Sequence, residues 1–303
     1  MTNHVTGIVL KIIAVTIFTV MMAIIKETSA HVPTGQQVFF RAFFTLLVII
    51  GWLWARGDFP HGLKTQRIWG HMGRGFAGAA AMTLRFFALG VLSFPEVTAL
   101  GFTTPLILTI LAALLLGETV RLFRISTVAL GFVGVLIVLW PNINWDGSRT
   151  TMETIGALAM IGSATLAALA QIFVRKLVST EGTAQIVFYL SLLITVLSLF
   201  TIPFGWVMPP PYAFWLLVTA GVIGGLGQIC LTASYKFAPA SVVAPFDYTS
   251  MLLALAIAWL WFAEVPTALM LVGMTIIMAS GAVIIWRENQ LGKTQNREKQ
   301  SQL

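Results

Sequence analysis

The chain has 303 residues, of which 58% are hydrophobic and 10% charged, with a mean hydropathy of +0.90. A soluble domain carries about 25% charged residues and must keep much of its surface wet, so a water-soluble fold is excluded for most of this chain. The net charge of +7 does not mark a nucleic-acid binder, because the 18 Lys and Arg lie between apolar runs and in the tail, without a basic stripe.

A helix needs about 20 mostly apolar residues to cross a bilayer. Ten such windows follow in chain order: 7–25, 38–55, 75–93, 96–116, 122–140, 154–174, 184–203, 212–235, 239–263 and 265–286. The first is expected to be an uncleaved helix. Thr28-Ser29-Ala30 has the small residues of a cleavage site, but no Lys or Arg precedes the apolar run and further spans follow it. The connections hold turn residues, as in Pro141-Asn142-Ile143-Asn144-Trp145-Asp146-Gly147 and Pro209-Pro210-Pro211. The tail, 287–303, is polar and Gln-rich, the composition of a disordered segment. No window alternates like a barrel strand. The single cysteine, Cys230, lies in an apolar run and reads as a small packing residue; no Cys/His set has metal spacing.

Charge orients the spans. Placing the N-terminus, the tail and the loops after even spans on one side collects Lys11, Arg56, Lys64, Arg67, Arg74, Arg121, Arg124, Arg175, Lys176, Lys236, Arg287, Lys293, Arg297 and Lys299. The other side collects only Lys26, Arg41 and Arg149, and Arg85 lies inside a span. This bias predicts that both termini of a multi-pass protein are cytoplasmic.

The chain also repeats itself. Phe94-Pro95-Glu96-Val97-Thr98-Ala99 is echoed by Ala238-Pro239-Ala240-Ser241-Val242-Val243, each placing a proline where a helix starts. The helix after each ends in a glutamate, Gly117-Glu118 in the first half and Ala263-Glu264 in the second. A last helix follows with a late glycine and a closing tryptophan: Gly134 and Trp140, then Gly281 and Trp286. The expected fold class is therefore an all-α integral membrane protein of ten transmembrane helices, built as two inverted five-helix repeats. An odd number of spans per unit forces the second unit to enter from the opposite face, a plan of secondary transporters. The expected units are 1–140 and 154–286, joined by a periplasmic connection at 141–153 and followed by the tail.

In these motifs the chain resembles the drug/metabolite transporter superfamily, and within it the EamA type. The likeness rests on Phe40-Arg41-Ala42-Phe43, Phe94 to Leu100, Leu114-Leu115-Leu116-Gly117-Glu118, the Gly131/Gly134 pair, and the echoes at 238–244 and Trp261-Phe262-Ala263-Glu264. It runs from about 7 to 286. Span 7 departs from it in lacking an arginine matching Arg41. The resemblance implies a ten-helix carrier in a bacterial-type cell inner membrane, with a central cavity lined by both halves. It does not choose among amino acids, nucleosides, riboflavin, drugs and other metabolites.

Ionisable groups inside a bilayer are costly and usually line a cavity. Arg85 lies roughly 15 Å into span 3 and Asp247 roughly 12 Å into span 9, measured from the same face. They are predicted to flank one wet cavity. Arg85 would grip a carboxylate, phosphate or carbonyl, and Asp247 would carry a coupling proton; a plain ion pair between them is the alternative. Phe86, Thr103, Thr104, Gln228 and Tyr248 complete the candidate solute contacts. Arg41, Pro95, Glu118, Gln171, Pro239 and Glu264 are assigned structural or gating roles. Glycine-rich runs at 75–81 and 221–227 mark rocking or close-packing surfaces.

The expected partners are a small polar or heteroaromatic solute, the lipid bilayer and protons, with no nucleic acid, no cofactor and no metal. The chain would act as a monomer or homodimer. A membrane-embedded enzyme is the rival. However, the histidines at 4, 31, 61 and 71 all fall at loops or span ends, and no phosphate-cradling loop occurs. A non-transporting membrane scaffold is the third reading.

Overall fold

A computed structural model of the protein describes residues 2–116, 122–140, 150–177, 180–238 and 240–283. Glu118, Pro239, most of the connection at 141–153 and the tail lie outside the described residues. Among the described residues there is no strand. The first half holds α1 (Thr2–Thr28), α2 (Thr34–Ala55), α3 (Ile68–Val91), α4 (Phe94–Gly101), α5 (Thr103–Leu116) and α6 (Leu122–Leu139). The second holds α7 (Thr151–Leu177), α8 (Thr183–Leu199), α9 (Pro211–Phe237), α10 (Ala240–Val243), α11 (Thr249–Phe262) and α12 (Ala268–Val283).

Five stretches are long and apolar enough to cross a bilayer: Val5–Thr28, Thr34–Ala55, Phe94–Leu115, Thr151–Val174 and Pro211–Leu231. Shorter apolar helices cover Ser126–Leu139, Thr183–Leu199, Phe246–Phe262 and Ala268–Val283. With α3, which carries Arg74 and Arg85, these make the ten crossing segments. Large apolar side chains such as Leu114, Leu158, Trp215, Leu252 and Leu260 point outwards, as a surface solvated by lipid tails requires.

Two spans are not continuous helices. The fourth is split into α4 and α5 at Phe102. Pro105 offers no N–H to the carbonyl four residues back, at Gly101, and its ring crowds that carbonyl, so the helix is interrupted there. The ninth is split more widely: α10 and α11 are separated by a 3-10 turn, Ala244–Tyr248, with Pro245 in its first turn. The starts are also specified locally. Ser93 caps α4 in a capping box: its backbone N–H donates to Glu96 Oε2 at 2.9 Å, and its hydroxyl accepts from the Glu96 amide. At the far end of the ninth span Ala263 takes a left-handed φ of +53°, letting the Glu264 N–H reach back to the Ala258 carbonyl at 2.9 Å.

The packing follows the repeat. In the first half α3 packs on α7 and α8 of the second, and in the second half α9 packs on α1 and α2 of the first. The α4–α11 and α2–α8 contacts join like elements of the two halves. The two units are therefore interlocked rather than side by side. Small residues permit this. Gly75 and Gly78 of α3 lie under Leu193 and Leu190 of α8, and Gly221 and Gly225 of α9 lie under Phe44 and Val48 of α2.

On the face carrying the N-terminus, Glu181 ties the segment before α3 to the α7–α8 connection. It accepts hydrogen bonds from the Thr65 hydroxyl and the Gln66 amide and lies 3.6 Å from His71 Nε2. Burial pushes this carboxyl up, but the Gln66 amide, the Thr65 hydroxyl and His71 outweigh it and hold it below the usual carboxylate value.

The closing helices of the two halves touch backbone to backbone. A Cβ added at Gly134 would lie 2.8 Å from the Gly273 carbonyl oxygen, and one at Gly273 would lie 2.8 Å from that of Gly134. Around Gly51, in α2, nothing lies within 4 Å. Gly134→Ala is expected to destabilise the detergent-purified protein by about 1–3 kcal/mol through overpacking. Gly51→Ala is expected to be neutral or to stabilise it by about 0.5–1 kcal/mol. Thermal unfolding of both variants checks the pair; equal effects would contradict the α6–α12 contact.

Candidate functional site

The two broken spans meet. The Phe102 ring, at the break of the fourth, stacks on Tyr248, at the break of the ninth, with centroids 5.1 Å apart and planes 20° from parallel. Tyr248 in turn rests its hydroxyl on Gly281 of α12, where any side chain would collide with it. Beside the fourth-span break stands Arg85 of α3. Its Nη2 is 3.4 Å from where a Cβ on Gly101 would sit, so glycine at that position makes room for the guanidinium. Thr103 and Thr104 follow the break with both hydroxyls buried and without a hydrogen-bond partner. Interrupted backbone within a membrane is tolerated where it is buried in protein or lines a cavity, and such breaks are where carriers coordinate solutes.

Asp247, one residue before Tyr248, does not pair with Arg85. Its partner is Lys11 of α1, at 2.8 Å between Nζ and Oδ1. The Lys11 side chain is 2% exposed and that of Asp247 is 47% exposed, so the carboxylate faces open space while the ammonium is enclosed. The alternative of an Arg85–Asp247 ion pair is thereby corrected: α1, not α3, supplies the counter-charge. Counting Lys11 among the loop charges is corrected too, since it lies nine residues inside α1, about 14 Å from its start.

A second ion pair joins the same two spans near the other face. Lys26, close to the end of α1, lies 3.0 Å from Glu264, two residues past α11. Lys26 Nζ also donates to the Leu92 carbonyl at 2.7 Å, and the other Glu264 oxygen accepts the Phe94 N–H at 2.7 Å. Glu264 thus caps α4 of the opposite half while neutralising Lys26. Lys26, Ser93, Glu96, Glu153 and Glu264 line a cavity of about 360 Å³ at this face.

The remaining sequence candidates are dispersed. Phe86 is 1% exposed and packs in the apolar core, turned about 100° from its neighbour Arg85. Gln171 is exposed on α7. Gln228 is half-buried in α9 and has a partner. Arg41 is 7% exposed in α2, beside Met21, Thr45 and Gly224. Pro95 stands in the first turn of α4, as expected from the motif. Sequence reasoning missed Lys11 and Phe102 as a pair of contacts to the ninth-span break. A longer reading of the first helix, starting before residue 7, is the signal that would have exposed Lys11.

The EamA-like transporter family profile matches residues 5–140 and again 154–286. The chain belongs to the EamA-like transporter family. The Pseudopaline exporter CntI of Pseudomonas aeruginosa is 29% identical over 279 residues, 91% of this chain and 94% of that protein. The Riboflavin transporter of Vibrio cholerae is 31% identical over 270 residues, 87% of each chain. The S-adenosylmethionine uptake transporter of Rickettsia felis is 26% identical over 277 residues, 91% of this chain and 90% of that protein. A solved crystal structure shares the fold at a TM-score of 0.66 and 19% identity, over 94% of this chain and 96% of its own. The protein is a multi-pass membrane protein of a small-metabolite transporter family, in agreement with the resemblance read from the motifs and with the transporter rather than the enzyme reading.

The outer ion pair gives a test. Glu264→Ala removes the counter-charge of Lys26 and the acceptor for the Phe94 N–H together, and is expected to cost about 1.5–3 kcal/mol. Glu264→Gln keeps an acceptor and is expected to cost clearly less. Thermal unfolding in detergent measures both; equal losses would show that the hydrogen bond to α4 contributes nothing.

Proposed function

We propose that this protein is a secondary carrier that moves a small polar or heteroaromatic organic metabolite across the inner membrane by alternating access, with both termini in the cytoplasm. The observation that carries this reading is the meeting of the two broken spans, one from each half, at Phe102 and Tyr248, with charged groups from α1 and α3 beside it. A carrier needs a site that both halves build, because the solute must be released to either face by rocking one half against the other. The stacked Phe102–Tyr248 pair offers a flat face, Arg85 a planar fork of donors, and Thr103 and Thr104 two uncommitted hydroxyls. The relatives that transport riboflavin and S-adenosylmethionine support a heteroaromatic solute, and the pseudopaline exporter supports a polar one.

Asp247 is the proposed proton-coupling group. Its side chain is half-exposed, and its bond to Lys11 must open for it to accept a proton. Opening would release one of the two ionic links between α1 and the ninth span, so protonation and rocking are mechanically linked. The two ion pairs lie along the same two spans, so the inner and the outer one are natural candidates to open in turn.

Reconstituted protein is expected to show saturable flux of a metabolite-panel member. Asp247→Asn is expected to abolish pH-driven flux while leaving solute exchange, and equal loss of both would remove the coupling role. Arg85→Lys is expected to weaken apparent affinity about tenfold or more, through loss of the bidentate fork, at unchanged protein abundance. Unchanged affinity would remove Arg85 from the site, and absence of flux for every solute class would overturn the carrier reading itself.

A further inference from the structure

Among the described residues, two arginines inside the bundle have no counter-charge. Arg85 has no hydrogen bond or ion pair among the described residues, and neither has Arg41. Arg41 is more than nine-tenths buried, and its Nε is an orphaned donor. That Nε lies 3.6 Å from where a Cβ on Gly224 would stand, so glycine in α9 opens space at Arg41 just as Gly101 does at Arg85. The depths match as well. Arg41 is seven residues from the start of α2 and Arg85 six residues from the end of α3, both on the same face. At 1.5 Å per residue these are about 10 Å and 9 Å from it.

A guanidinium does not lose its proton in a protein, so these charges cannot be discarded. Leaving one buried without a counter-ion is costly. The carboxylates of the described residues have other partners. Among the described residues Glu27 accepts from Tyr212 and Asp58 pairs with Arg56. Glu96 bonds Ser93, Glu153 bonds the Thr150 amide, and Glu181 holds Thr65 and Gln66. Asp247 is taken by Lys11, and Glu264 by Lys26. Among the described residues no carboxylate pairs with Arg41 or Arg85, and an anionic solute would supply the counter-charge.

We infer that the solute is an organic anion whose carboxylate or phosphate group is bound between Arg41 and Arg85. This rests on the carrier reading and narrows its substrate class. It also moves Arg41 from a structural role to a specificity-determining one. Two forks at matched depth hold an oxyanion by up to four charge-assisted hydrogen bonds, while the stacked Phe102–Tyr248 pair meets the apolar or aromatic remainder.

The test uses matched probes that differ only in the acidic group: flavin mononucleotide against riboflavin for a phosphate, and aromatic and aliphatic carboxylates against their amides. Binding to the purified full-length protein is read by thermal shift, and flux by proteoliposome uptake. The acid of at least one pair is expected to bind about tenfold or more tightly than its neutral partner. Which pair responds tells phosphate from carboxylate. Arg41→Gln and Arg85→Gln are each expected to erase that preference. Arg41→Lys, which keeps the charge and requires no larger space, is expected to retain it at lower affinity. Equal response to neutral and acidic members, no response to any acid, or full preference in a correctly folded Arg41→Gln overturns the inference. Saturable flux of a neutral or cationic solute with the acids inert would overturn it while leaving the carrier reading intact.

Discussion

The Lys11–Asp247 ion pair is the constraint from which the rest of the architecture follows. A charge taken from water into lipid is tolerated only with a partner or in contact with a wet cavity. Here one member is enclosed and the other is half-exposed, so the pair marks a boundary between packed protein and open space. Its carboxylate sits on a 3-10 turn, not on an ordinary helix. That turn can exist at membrane depth because α1 covers it, and its last residue, Tyr248, closes the gap against Phe102 at the matching break of the other half.

The second pair fits the first. From Lys11 to Lys26 is fifteen residues, about 22 Å of helix, and from Asp247 to Glu264 is seventeen, about 25 Å. Two bridges at similar spacing require α1 and the ninth span to run parallel, as the first and ninth of ten alternating spans do. One helix of the first half is thus held along its length to one of the second, by bonds that differ in kind. The deep pair borders open space, while the other also carries the N-terminus of α4. Such bonds between halves can be exchanged for bonds to a solute or a proton, whereas the glycine-lined contacts of α3 with α8 and α9 with α2 are fixed by shape.

The spans, the internal repeat and the start of α4 were legible in the sequence because they rest on composition, on proline and on a local capping pattern. Each acts within a few residues. That Arg85 and Asp247 lie within spans was legible for the same reason, as counts along a helix. What they touch was not. Lys11 looks like a charge at the rim when the first span is taken from residue 7, but the mostly polar residues 2–6 continue the helix and carry it inward. Phe86 looks like a cavity residue beside Arg85, but adjacent helical residues point about 100° apart, and the core took it. The break at Phe102 was foreshadowed by Pro105, while its partner at Tyr248 depends on how two halves pack across more than a hundred residues. Arg41 reads as part of a motif; only its burial without a partner shows that its charge is unanswered.

A double-mutant cycle on Lys11 and Asp247 tests the account at its root, with thermal unfolding of the detergent-purified Lys11→Met, Asp247→Asn and combined variants as the readout. If the pair is the contact that holds α1 to the broken ninth span, Asp247→Asn leaves the enclosed Lys11 charge stranded. The combined variant is then less destabilised than the two single losses summed, with a coupling of about 0.5–3 kcal/mol. Strict additivity would mean that the two residues do not meet, and the picture of two broken spans braced around an ionic chamber would fail.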